Sequence, residues 1–132
     1  MLHLEDMEQM AVMQWARVQR IPGTTHKVAD FLIAIPNEGQ RSPRTGQKFK
    51  KLGLKPGVSD LFLAYPVTTM HGCWIEMKKC RKDYRCKSEA ENAATEHQKD
   101  WLLLMGQQGY FQRLAYGADE AIDAIKTYLG VQ

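Results

Sequence analysis

Asp60, Glu76 and Lys78 are the residues of this chain whose types and spacing suit a reaction. Asp60 lies near the start of the apolar run Val58-Ser59-Asp60-Leu61-Phe62-Leu63-Ala64, and Glu76 and Lys78 lie in a second run, Cys73-Trp74-Ile75-Glu76-Met77-Lys78. Both runs have the length and residue types of buried strands. Side chains alternate along a strand, so Glu76 and Lys78 share one face. Two carboxylates converging on a sheet edge offer hard oxygen ligands to a divalent cation, and an ammonium beside them can meet an anionic oxygen. That is the equipment of phosphodiester hydrolysis. A carboxylate in an apolar strand is costly to bury unless it binds a cation or finds donors. The same residues would also suit a solvated sheet face, with Glu76 and Lys78 as neighbours and Asp60 closing the turn after Gly57.

The flanking segments must hold these strands. Leu4 to Gln19 carries Met7, Ala11, Trp15 and Val18 at helical spacing, with Glu5, Glu8 and Gln9 grouped elsewhere on its surface. Acids in a first turn also complement a helix dipole without further purpose. Asp30 to Ile35 reads as a first strand, stopped by Pro36 and the Asn37-Glu38-Gly39 loop. Ser42-Pro43 reads as the start of a short basic helix, Arg44 to Leu52, pinned by Phe49 and Leu52 and ended by Gly53. Tyr65 to Gly72 connects the two acidic strands as a hairpin-like excursion. Lys79 to Ala94 is a long polar, basic stretch, read as a flap or partly helical insertion with Ser88-x-x-Glu91 as a capping box. Thr95-x-x-Gln98 opens a helix to about Gln108, with Trp101, Leu102 and Met105 inward. A last strand, Tyr110 to Tyr116, and a helix, Asp119 to Leu129, with Ile122, Ile125 and Leu129 toward the core, close the chain.

Composition bounds the function. With 132 residues, 44% hydrophobic and 25% charged, the chain reads as one domain with room for a core. Its net charge is only +3, but the charge is clustered. Arg41, Arg44, Lys48, Lys50, Lys51 and Lys55 form one acid-free basic segment, and Lys78 to Lys87 holds a second, interrupted only by Asp83. Two basic segments flanking an acidic pair suit a polyanion, although solvated loops are also rich in lysine. Cys73, Cys80 and Cys86 are odd in number and lack metal-ligand spacing, which suggests a reducing cytoplasm. No signal peptide, lipidation motif or long apolar span is visible, so a membrane location is not expected.

The motifs Glu5-x-x-x-Gln9, Ile35-Pro36-Asn37-Glu38-Gly39, Gly57-Val58-Ser59-Asp60-Leu61-Phe62-Leu63, Ile75-Glu76-Met77-Lys78 and Gln98-Lys99-Asp100-Trp101-Leu102 occur in an order that resembles the VRR-NUC family of the PD-(D/E)XK nuclease superfamily. The resemblance runs from Glu5 to Leu129, like a stand-alone domain of the phage or prophage type. It implies an α/β, restriction-endonuclease-like core with a central mixed sheet of about four strands flanked by helices. It further implies Asp60, Glu76, Lys78 and Gln98 as catalytic residues. Glu5, Asp60, Glu76 and the Met77 carbonyl would be ligands for Mg2+ or Mn2+, with Glu8 the alternative to Glu5. Asn37, Arg41, Arg44, Lys48, Lys51 and Lys79 are the expected nucleic-acid contacts. The implied activity is structure-selective DNA cleavage, as in a homodimeric Holliday-junction resolvase of a bacterial or phage-infected cell. A flap or other branched-DNA nuclease, and an inactive nucleic-acid binder, are the alternatives. Ser59 departs from the family, which usually has proline before the acid.

Overall fold

The computed structural model describes residues 2–36 and 43–132, the side chains of 43–46 excepted. Asn37 and Arg41 lie outside the described residues. Four strands form one mixed sheet in the order β1-β2-β3-β4: β1 (Leu32–Ala34), β2 (Leu61–Leu63), β3 (Cys73–Lys78) and β4 (Phe111–Tyr116). The first three run antiparallel to their neighbours, and β4 joins β3 in parallel. The parallel pair needs a crossover, and α4 (Glu96–Gln107) supplies it.

The two faces of the sheet have different work. Leu61 and Leu63 of β2 pair with Ile75 and Cys73 of β3, and Met77 pairs with Ala115. All six are fully or almost fully buried. They form the core together with Val12 and Ala16 of α1 (Leu4–Ala16) and Ala121, Ala124, Ile125 and Tyr128 of α5 (Ala118–Leu129). Each large aliphatic side chain there contributes about 1.5–3 kcal/mol. The alternate face carries Phe62 stacked on Trp74, then Glu76 and Lys78, and α4 meets it through Trp101, which packs edge-on to Trp74. Strand alternation thus separates an aliphatic face from the face that carries charge.

Several elements differ from their sequence-based outlines. Helix α1 stops at Ala16, and the chain turns back so that Val28 N–H donates to the Gln19 carbonyl and Ile21 enters the core. Its inward face is also rotated from the expected stripe. Met7 is 53% and Val18 71% exposed, whereas Val12 and Ala16 are fully buried. The first strand is shortened because Val28–Asp30 forms a 3-10 turn. In α2 (Pro43–Lys51), Phe49 is half-buried, but Leu52 is 70% exposed and pins nothing. In 79–94 the chain makes a 3-10 turn (Arg81–Asp83) and α3 (Lys87–Glu91). Helix α3 starts after Cys86, so Ser88 and Glu91 form no capping box. The last helix buries mostly alanines, with Ile122 and Leu129 at its flanks. No helix among the described residues is long and apolar enough to cross a membrane.

Two neighbouring positions should respond to alanine with opposite signs. Gly57 has φ +83°, and a Cβ there would come within 2.4 Å of the His97 carbonyl carbon in α4. Gly57→Ala should cost about 2 kcal/mol or more through left-handed strain and displacement of α4. Ser59 is fully buried, and its hydroxyl has no hydrogen-bond partner. Ser59→Ala should therefore stabilise by about 1 kcal/mol. Urea denaturation of both variants checks the pair of signs.

Candidate active site

Asp60 sits immediately before β2, held by its own backbone and by the neighbouring strand. Its carbonyl accepts from Ile35 N–H at 2.8 Å, and its Oδ2 accepts from Met77 N–H at 2.7 Å. The second bond points the Asp60 carboxylate at the middle of β3, where Glu76 is only 2% exposed. Glu76 Oε1 is buried without a hydrogen-bond partner. Burial, reinforced by hydrogen bonding and charge from Asp60, pushes the Glu76 carboxyl up to about 9, with the Lys78 ammonium opposing the rise. At neutral pH the Glu76 carboxyl therefore favours its protonated form, or a cation bound beside it.

Lys78 is itself 6% exposed, and its Nζ donates to Gln98 Oε1 at 3.0 Å. The same Oε1 accepts Thr95 N–H at 2.9 Å, while Thr95 Oγ1 accepts Gln98 N–H at 3.2 Å. The capping box and the contact to the site, two uses that compete in the sequence, are thus served by one oxygen. The cap fixes Gln98, and Gln98 fixes the lysine. Gly57 seats this helix end against the loop that carries Asp60.

Helix α1 brings Glu5 and Gln9 to a cleft of about 350 Å³ shared with Ile35, Pro36, Asp60 and Met77. Glu8 points elsewhere: its Oε1 accepts from Ala118 N–H at 2.9 Å, capping α5, and from the Cys80 thiol at 3.3 Å. Glu5 and Glu8 therefore face different parts of the molecule, a distinction that spacing on one helix does not reveal. The expected three-acid cluster is corrected, however. Among the described residues, no three His, Cys, Asp or Glu side chains gather into a metal site. Asp60 and Glu76 meet, while Glu5, in the first turn of α1, stays exposed at the rim. The donors that do meet suit a hard cation: two carboxylates, one of them with an orphaned buried oxygen.

The expected polyanion contacts are spread more widely. Lys48 and Lys51 are exposed on α2, and Arg44 is placed only by its backbone in that helix. Lys79 lies with its Nζ 4.5 Å from the centre of the Tyr84 ring. Tyr84 carried no signal in the sequence beyond its place in a basic stretch.

The carboxyl pair has a consequence for stability. Glu76 ordinarily titrates near 4.5 and does so near 9 in the folded chain. Between those values, the folded state holds a proton that the unfolded state has lost, so stability falls as pH rises. In EDTA, the melting temperature should decline from pH 5 to pH 9 more steeply for the wild type than for Glu76→Gln. Equal slopes would contradict the raised Glu76 carboxyl.

No family model matches the chain, and no curated protein matches it. A solved structure described as a VRR_NUC domain protein is similar, with a TM-score of 0.77 and 28% identity over 99% of this chain and 92% of that one. Sheet order, motif order and this likeness along nearly the whole length support the resemblance to the VRR-NUC family, and the mixed four-stranded sheet with flanking helices is consistent with its restriction-endonuclease-like α/β core.

Proposed function

We propose that the protein is a divalent-metal-dependent DNA endonuclease selective for branched structures, acting as a homodimeric Holliday-junction resolvase. The observation that carries the reading is the juxtaposition of Asp60 with the buried, half-unsatisfied Glu76 on the strand that also presents Lys78. The VRR-NUC likeness supports phosphodiester hydrolysis as the chemistry, and the resemblance of stand-alone members to junction resolvases supports paired cuts by a two-fold dimer. A flap or other branched DNA is the nearest alternative substrate.

Asp60 and Glu76, with the Met77 carbonyl, would hold Mg2+ or Mn2+. When bound, such an ion supplies a Lewis acid for the scissile phosphate and lowers the pKa of a water. Lys78 acts beside it. Its ammonium, held by Gln98, stabilises negative charge developing on phosphate oxygens or positions the attacking water. Exposed Lys48 and Lys51, and Lys79 nearer the cleft, meet backbone phosphates and orient the nucleic acid without reading its bases. Arg44 is part of the same proposal, as are Asn37 and Arg41, which lie outside the described residues.

Labelled four-way junction, flap, single-stranded and duplex DNA, each incubated with Mg2+, Mn2+ or EDTA, test the reading. Cleavage should require metal and favour branched DNA. Glu76→Ala and Lys78→Ala should each slow it at least about 100-fold. Binding without metal-dependent cuts would leave a nucleic-acid binder, and absence of both would leave only a shared fold.

A further inference from the structure

A second groove, of about 510 Å³, adjoins the cleft and is lined by His3, Leu4, Glu5, Lys79, Tyr84 and Ala93. Glu5 borders both hollows, and its charge is felt by Glu76 on one side and Tyr84 on the other. The groove therefore meets the cleft at Glu5, on the side of the helix end where Lys79 lies.

We propose that this groove seats an unpaired nucleotide flanking the scissile phosphate, with its base on the Tyr84 ring and its phosphate on Lys79; this rests on the nuclease reading above. Tyr84 is half-buried and braced. Its ring packs edge-on to Tyr116 at 6.0 Å, and the Tyr116 hydroxyl is tied to the Ala90 carbonyl. The neighbouring arginines are committed, since Arg81 is paired with Glu120 and Arg85 with Glu89. Lys79 forms no ion pair among the described residues and rests instead on the Tyr84 ring. A cation over an aromatic face that water still reaches is held weakly. On binding, the ammonium moves to a phosphate and leaves an aromatic plane to a base. A nucleotide carries both complements, a flat ring and an anion. Bases stacked within a duplex present only their edges, so the occupant is unpaired, as at a branch point or a single-stranded arm.

The test is fluorescence anisotropy of a short single-stranded DNA with the full chain in EDTA, with one abasic residue stepped along the strand. At one position, loss of the base should weaken binding about tenfold for the wild type and Tyr84→Phe, and not at all for Tyr84→Leu. Lys79→Ala should retain that abasic penalty and lower the salt slope by about one. A 2-aminopurine at the sensitive position should be quenched by the wild type, which decides the matter should Tyr84→Leu not fold. No sensitive position, or the same penalty in Tyr84→Leu, would overturn the seat. Cleavage of branched DNA by the same proteins in Mg2+ is scored separately. An intact abasic pattern without cleavage would sink the nuclease reading alone, and cleavage without the pattern would sink the seat alone.

Discussion

The structure depends on one costly arrangement, the burial of Glu76 beside Asp60 in the middle of a sheet. Two neighbouring carboxyl groups, the Glu76 one withdrawn from water, repel when both are ionised, and one Glu76 oxygen has no donor. A fold selected for stability alone would place apolar side chains at these positions. The aliphatic core on the opposite face, with Ile75 and Met77 alternating with Glu76 and Lys78 along the same strand, allows the chain to carry that cost. The alternation of β3 is what lets one six-residue strand be core and site at once.

The rest of the site is held by contacts that cross the chain. Asp60 is fixed through Met77 N–H, so the acid of one strand is registered to the backbone of the next. Lys78 is fixed through Gln98, and Gln98 through the cap of α4. The absence of a side chain at Gly57 lets α4 approach the loop before Asp60. Glu8 joins α1 to the start of α5, so the helix that carries Glu5 cannot tilt without disturbing α5, which packs on β4. Each acid and the lysine are positioned by elements that lie far apart in sequence.

The sequence made the strands and the acidic pair legible because their signals are local. An apolar run bearing Glu76 and Lys78 at strand spacing states both its structure and its shared face. The order β1 to β4, with α4 as the crossover, also agrees with what the family resemblance implies. What stayed hidden depends on packing between distant segments. The inward face of α1 departs from its apolar stripe because Met7 is apolar yet exposed, while small Ala16 is buried. Glu5 and Glu8 are equivalent on a helical wheel, and only the position of Ala118 separates them. The double use of Gln98 Oε1 could not be read from Thr95-x-x-Gln98, since the capping box names one donor and β3 brings the other. Tyr84 gains interest only once the groove beside Glu5 is known.

The claim that Asp60 and Glu76 seat a hard cation is tested most directly by anomalous diffraction from crystals soaked in Mn2+ at a pH near 8. The expected result is a manganese peak within bonding distance of both carboxylates, lost in crystals of Glu76→Gln. A fully ordered site with no peak there, or a peak unaffected by that substitution, would contradict the claim.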